Sequence, residues 1–386
     1  MPDVILQAST ILNELNAQAT GAQPVAIVDT TSFMAVANTL LVHGVDMISG
    51  AVDNLLSRTL FSTRPYSRKL VTMHKTTEEF GIFKRRLHVA DEEAEDSEVY
   101  ADTSLAGVDM FRAKTPKIAT TYIHGGGVHT RKLKVYDHQF NTAFSSPSEL
   151  LGFMSMLQQN FTDLIEQTHE QEARATLANY MAAKYHMGGA HCIYLLDEYN
   201  AETGQTLTRV TVKHPDNFPA FIKWAYARIN YVSSLLTERS ELYHVKPGID
   251  TKRHTPKDLQ HLYLLNEFAV QIGTRVKGDV YHPEFLNIPT AEVVNYWQGI
   301  MEPSRIHTNA RYTLDTGREA PAVAVDTDNI IGMLCDKDAL GMTTIDTAMI
   351  STPVNAAGRY TVKHAHFTDR TYCDFNAQAV VFALEA

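Results

Sequence analysis

The sequence predicts an α+β chain with more than one domain, and three observations carry that reading. A capped helix signal at Ser146-Pro147-Ser148-Glu149 opens an apolar stripe that runs to Gly188-Gly189. Strand-type alternation fills the stretch before it, and strands mix with helices after it. The 386 residues also exceed the roughly 250–300 at which a single hydrophobic core stops growing.

In residues 1–63, Ser32 is placed to cap a helix running to about Arg58, with Phe33, Val36, Leu40, Leu41, Ile48, Val52, Leu55 and Leu56 near helical spacing. Gly21 and Pro24 break any earlier helix, which leaves a loosely patterned arm in front. The helix reads either as an ordinary N-terminal element or as part of an arm reaching another subunit.

Residues 64–140 read as strands at 69–73, 80–89, 108–121 and 128–140, separated by polar turns. An acidic run (Asp91, Glu92, Glu93, Glu95, Asp96, Glu98) lies between the basic clusters Lys84-Arg85-Arg86 and Arg131-Lys132-Lys134. Two long strands without a third layer are marginal in water, so this ribbon is expected to rest on something. A neighbouring subunit is a sensible support, with charge segregation fixing the register. That makes Lys84, Arg85, Arg86, Glu92, Glu93, Glu95, Arg131, Lys132 and Lys134 the candidate inter-subunit contacts. The plainer alternative is a solvated charged loop.

The capped helix carries Leu150, Phe153, Met154, Leu157, Phe161, Leu164 and Ile165, then a polar patch at 166–172, then Ala173, Leu177, Tyr180 and Met181. At 1.5 Å per residue it would span about 60 Å. The polar patch predicts a wet middle and hence a half-exposed strut. Beyond it, 192–199 and 206–213 read as a strand pair about a turn at 200–204. Residues 218–236 read as a helix on Phe221, Ile222, Ala225, Ile229, Val232 and Leu236, 259–265 and 330–335 as central strands, and 360–367 and 379–384 as closing strands. A closing strand returning to the long helix would join the last residues to that helix's domain.

Composition excludes several classes. No apolar run approaches the roughly 18–20 residues of a membrane span. The start, MPDVILQAST, has an acid at position 3 and no basic stretch, which argues against a secretory signal. Cys192, Cys335 and Cys373 are odd in number and far apart, which fits reduced thiols better than a disulfide framework or a zinc site. A net charge of −10 repels phosphate, so tight DNA binding is not expected; the same charge suits a container wall that packed DNA should not adhere to.

The search for catalytic chemistry comes back empty. His124-Gly125-Gly126-Gly127 matches an oxyanion turn, but no GxSxG nucleophile accompanies it. Gly273–Gly278 lacks the phosphate-loop frame, and Asp326-Thr327-Asp328 lacks the later ligands of a calcium loop. Among 17 histidines, His169-Glu170 has no second histidine to complete HExxH, and the alternating pair His364 and His366 has no evident third ligand. Glu149, Glu166 and Glu170 read as helix-surface carboxylates, and Trp224, Tyr243, Tyr263 and Trp297 as core or interface aromatics. No catalytic, cofactor or metal site is expected.

The order of elements resembles the tailed-bacteriophage major capsid fold of the Hong Kong 97 type. Four stretches carry the likeness, which is most like the capsid proteins of small short-tailed phages of the phi-twenty-nine kind. The first runs from Phe83 to Met154, through the Glu92–Glu95 acids and Phe140-Asn141-Thr142-Ala143-Phe144. The others are His261-Leu262-Tyr263-Leu264-Leu265-Asn266-Glu267, Met333-Leu334-Cys335-Asp336-Lys337-Asp338 and Asn376-Ala377-Gln378-Ala379-Val380-Val381-Phe382. Residues 194–241 match poorly.

The resemblance implies an N-terminal arm (1–63), an E-loop (64–140), a peripheral domain with a spine helix (141–190) and closing strands (346–386), and an inserted axial domain (191–345). It implies pentamers and hexamers, each E-loop over a neighbour's spine helix, in a shell enclosing double-stranded DNA through weak, non-specific contact. The virion capsid would be the location and the bacterial host cytoplasm the place of assembly. A separate scaffolding protein and a portal would be partners, without proteolytic maturation, membrane or cofactor. An encapsulin-like compartment shares the fold and is the first rival reading; a hydrolase built on the 124–127 turn is the second.

Overall fold

The computed structural model of the chain describes residues 2–21, 23–25, 27, 29–42, 66–75, 84–91, 115–123, 126–275 and 290–386. Helix α1 (Pro2–Thr20) occupies the stretch expected to be a loose arm. Ala8, Ile11, Leu12, Leu15 and Ala19 are buried at helical spacing. Gly21 stops this helix, at φ 70°, instead of preventing it. In α2 (Thr30–Val42) the cap is Asp29, not Ser32. The Asp29 carboxylate accepts the Ser32 N–H at 2.8 Å, and Ser32 Oγ accepts the Asp29 N–H at 3.1 Å, a reciprocal box with Ser32 inside the first turn. The expected continuation to Arg58 lies outside the described residues.

Residues 69–73 are not a strand. Leu70 and Met73 are both buried three positions apart, and Val71–Met73 forms a 3-10 turn between and beside them. Strands β1 (Lys84–Val89) and β2 (Ile118–Ile123) pair antiparallel as a two-stranded ribbon. The strand expected at 128–140, β3 (Gly127–Tyr136), leaves that ribbon and gives way to α3 (Asp137–Ala143). The long helix follows as α4 (Pro147–Met187), with Ser146 accepting the Glu149 N–H and Gly188, at φ 61°, ending it.

The expected strand pair at 192–213 is helical after its first three residues. These are β4 (Cys192–Tyr194), α5 (Leu195–Thr203) and the single turn α6 (Arg209–Val212). Leu195, Leu196 and Tyr199 are buried at i, i+1 and i+4, a helical face for packing under α7 (Phe218–Leu235). Next come β5 (Gln260–Leu265), α8 (Asn266–Arg275), β6 (Thr290–Val294), β7 (Ile306–Ala310) and β8 (Val323–Thr327). The chain closes with β9 (Ile330–Asp336), β10 (Leu340–Ser351), β11 (Tyr360–Cys373) and β12 (Ala379–Ala383).

Two sheets organise the body. The larger has the order β4-β12-β9-β5-β6, with β12 parallel to β4 and antiparallel to β9. Side chains alternate across it. Tyr263, Met333, Cys335 and Val381 face the core shared with Ala173, Leu177 and Tyr180 of α4. Leu262, Leu264, Leu334, Val380 and Phe382 face the core shared with Phe221, Ile222 and Ile229 of α7. The closing strand β12 thus lies inside this sheet, between strands drawn from 192–336, while the smaller antiparallel sheet β10-β11-β3 lies beside α4. The start of α4 packs with α1 and α2 around Leu12, Leu15, Phe33, Leu40, Leu150 and Met154.

The middle of α4 is not wet. Thr168, His169, Glu170 and Arg174 are buried, because charged partners from 66–75, β3 and β11 converge on them. Among the described residues no helix is long and apolar enough to cross a membrane.

Gly126, just before β3, lies against the backbone of β11. Its φ is +106°, and a Cβ there would meet the Asp369 carbonyl oxygen. Gly126→Ala is expected to cost about 1–3 kcal/mol, read as a lowered thermal midpoint; an unchanged midpoint would show that the two strands are not so tightly joined.

Candidate functional site

The candidate contact residues separate into two places. Lys84, Arg85 and Arg86 lie on β1. Arg131, Lys132 and Lys134 lie on β3, which pairs with β11 of its own chain, so they are not part of a free ribbon. Arg131 donates to Thr168 Oγ1 at 3.0 Å, and the Lys134 ammonium sits 4.1 Å above the Tyr360 ring. Lys132 is exposed opposite His364. Glu92, Glu93 and Glu95 lie outside the described residues.

The β1–β2 ribbon has two unlike faces, set by strand alternation. The inner face is polar and bound to the chain's own body, which corrects the expectation that only a neighbour supports it. Arg86 pairs with Asp374, whose side chain is buried; burial raises the Asp374 carboxyl while the Arg86 charge pulls it back down. Arg253 donates to His88 Nδ1. That leaves the His88 Nε2–H to face Thr121 Oγ1 at 3.1 Å, and Asn376 donates to the same oxygen at 3.2 Å. Burial, then the Arg253 and Arg86 charges, push His88 down to about 4. Asp91, at the end of β1, accepts from Arg239 and from the Lys252 N–H.

The outer face of the ribbon is apolar and uncovered. Leu87 and Val89 are each 56% exposed, Ile118 62% and Tyr122 60%. In register they form the rows Arg85/Tyr122, Leu87/Thr120 and Val89/Ile118.

Between β2 and α4 lies an open cavity of about 850 Å³ lined by Thr121, Asn179, Arg311, Cys373 and Asn376, among others. Among the described residues the lining offers no histidine to activate a hydroxyl or thiol, and burial holds the Cys373 thiol up at about 12, so it stays protonated. Gly126, from the turn tempting as an oxyanion hole, lies against Asp369 of β11; His124 and Gly125 lie outside the described residues. His364 and His366 do share a face of β11, with rings stacked at 6.0 Å.

A second polar centre sits at the middle of α4. Glu170 Oε2 accepts the Lys69 and Leu70 N–H groups at 2.8 and 3.3 Å, while Oε1 takes Arg174 at 2.6 Å. Arg174 stacks 3.8 Å over the Tyr296 ring. Arg68 donates to His169 Nδ1 at 3.0 Å, and His169 Nε2 faces Asp369 Oδ2 at 3.1 Å. His129 of β3 meets Glu172. Burial pushes His74, beside His169, down to about 4. Sequence spacing could not assemble this set, because its members come from positions 68–74, 129, 169–174 and 369. The one local signal was an acid- and histidine-rich patch interrupting an otherwise apolar helical stripe.

A family model described as Phi29-like phage major capsid protein matches residues 10–383. No curated protein matches the sequence. Among solved structures, the chain is similar to one in the capsid structure of Staphylococcus phage Andhra, at 10% identity over 85% of this chain and 87% of that one, with a TM-score of 0.54. It is similar also to one in the structure of the head fiber and inner core protein gp22 of native bacteriophage P68, at 10% identity, the same coverages and a TM-score of 0.56. At such identity the likeness is one of fold.

Arg86→Ala should destabilise the chain by about 2 kcal/mol, less than a fully buried pair because the guanidinium is partly exposed. Arg85→Ala, on the outer face, should fall within about 0.5 kcal/mol of wild type. Denaturant unfolding distinguishes the two, and equal effects would contradict the two-faced ribbon. Acid should also weaken the fold. His88 is held at about 4 and His191, half-buried and beside Lys184, at about 3, against 6.5 when unfolded. Below pH 6.5 the unfolded chain binds protons that the folded chain refuses, so stability is fully present above that pH and lost as pH falls towards 4. Thermal midpoints from pH 7.5 to 4.5 should fall, less steeply in His88→Asn; a flat profile would refute the assignment.

Proposed function

The chain belongs to the Phi29-like phage major capsid protein family, and from that premise we propose that its copies assemble as pentamers and hexamers into the icosahedral shell enclosing phage double-stranded DNA. The observation that carries the assembly step is the outer face of the β1–β2 ribbon, where Leu87, Val89, Ile118 and Tyr122 are left to water. A soluble chain that holds a rigid apolar face outward, with the opposite face bolted to its own body, is built to have that face covered by another copy. Obligate contacts of this kind bury upwards of about 2,000 Å².

In the Hong Kong 97-type reading, α4 is the spine helix and the ribbon is the core of the E-loop, lying over a neighbour's spine. The N-terminal residues to about 63 form the arm. The sheet containing β5 and β9 belongs to the axial domain (191–345) and β11 to the peripheral domain (141–190 and 346–386), with β10 crossing the boundary. The shared strand β12 joins the two. Lys84, Arg85, Lys132 and the acids Glu92, Glu93 and Glu95 remain proposed contacts between subunits. Arg86, Arg131 and Lys134 have partners within the chain and serve the subunit first.

The role is structural, without catalysis. A chain of net charge −10 touches packaged DNA only weakly and non-specifically. A scaffolding protein and a portal are the further partners, with assembly in the bacterial host cytoplasm and the virion capsid as destination.

Co-expression with the scaffolding protein and negative-stain microscopy tests the reading. Wild type should give closed particles. Leu87→Ser combined with Ile118→Ser should cut particle yield at least tenfold while leaving the subunit's thermal midpoint nearly unchanged. Reversing Glu92, Glu93 and Glu95 to lysine should likewise impair assembly more than folding. Monomers alone from wild type, or full yield from the double variant, would overturn it.

A further inference from the structure

We propose that His129, Glu172 and Asp369 form a binding site for a divalent first-row transition cation, with Zn²⁺ the ion that the donor set fits best. The three residues come from β3, α4 and β11, and one ligating atom of each lies within 4.8 Å of the other two. Bonds of about 2.0–2.2 Å to imidazole nitrogen and carboxylate oxygen can be reached from there by small side-chain adjustments.

The second observation is a set of buried polar atoms that make no hydrogen bond. Asp369 is fully buried. Its Oδ1 accepts from Thr344 Oγ1 at 2.7 Å, but Oδ2 makes no hydrogen bond, and neither does Glu172 Oε2; His129 Nε2 makes none either, although it lies against Glu172 Oε1. Natural proteins rarely leave buried polar atoms so, and each such atom calls for an unseen partner. Here three of them converge. Two carboxylates side by side, one of them fully buried, also repel each other. A dication answers both problems at once: it fills the open lone pairs and neutralises the pair.

The surroundings hold the donors as the outer partners of a metal site do. Arg68 can only donate, so the hydrogen bond it makes to His169 Nδ1 leaves the His169 hydrogen on Nε2, directed at Asp369 Oδ2 from 3.1 Å but outside hydrogen-bond geometry. His169 thus sets a positive N–H edge against the open Asp369 oxygen without satisfying it. One imidazole with two carboxylates and no thiolate disfavours soft Cu(I), and the imidazole disfavours Mg²⁺ and Ca²⁺; among what remains, Zn²⁺ outcompetes Mn²⁺. Three protein ligands leave a fourth position for water, and the His129 side chain, 33% exposed, gives an entry path. The ion would pin the middle of α4 to β3 and β11. This proposal does not depend on the shell reading.

The test uses the full-length chain dialysed against a chelator, titrated calorimetrically with ZnCl₂, MnCl₂ and MgCl₂, with bound metal counted by mass spectrometry. Zn²⁺ should bind at one equivalent per chain with a dissociation constant near or below about 10 μM and raise the thermal midpoint by a few degrees. Mn²⁺ should bind more weakly and Mg²⁺ not measurably. Glu172→Gln and His129→Asn should each weaken Zn²⁺ at least tenfold. The H364A/H366A double variant, which removes the stacked surface pair, should bind as wild type does. Absence of a saturable site in wild type overturns the proposal, and so does binding abolished by H364A/H366A but kept in H129N. Should a ligand variant lose its circular dichroism, the stoichiometries of wild type and H364A/H366A decide alone.

Discussion

A helix about 60 Å long needs its middle held, and in this chain the carboxylate of Glu170 does so. It binds two backbone N–H groups of the 66–75 segment and the Arg174 guanidinium at once. Each bond to a charged group is worth about 1.5–3 kcal/mol, and removing the acid would strand buried donors at a similar cost. Around it Arg68, His169 and Asp369 extend one connected polar network from the helix to β11. Apolar packing secures the two ends of α4, on α1 and α2 at one and on the five-stranded sheet at the other.

This arrangement explains why the ribbon faces outward as it does. Its polar inner face, through Arg86, His88 and Thr121, is fastened to Asp374, Arg253 and Asn376, residues that border the same sheets that α4 organises. Strand alternation then leaves Leu87, Val89 and Ile118 nowhere to go but outside. A fold that spends its polar contacts internally and its apolar surface externally is one suited to assembly, in keeping with the capsid family to which the chain belongs.

Much of this was legible in the residues, and the failures have physical causes. The Ser146 cap and the Gly188 stop located α4 because capping is local chemistry. The all-buried runs of β5 and β9 were legible because a central strand shows no alternation. Helix α1 is hard to read from the residues because alanines at 8 and 19 supply part of its buried stripe, and Gly21, which the spacing offers as a breaker, is the stop at its end. The 192–213 segment was misread because Leu195, Leu196 and Tyr199 follow a short strand without a cap signal at Tyr194. The polar middle of α4 reads as wet from its own residues, since its partners lie on segments distant in sequence. The basic clusters were visible as charge, but their partners within the chain depended on long-range packing: Asp374 for Arg86, Thr168 for Arg131 and the Tyr360 ring for Lys134.

A reconstruction of assembled particles at side-chain resolution tests the whole account most directly. It should show Leu87, Val89, Ile118 and Tyr122 covered by another copy of the chain while Glu170 still accepts the Lys69 and Leu70 amides. Particles in which those four side chains face solvent, or in which α4 has let go of the 66–75 segment, would contradict it.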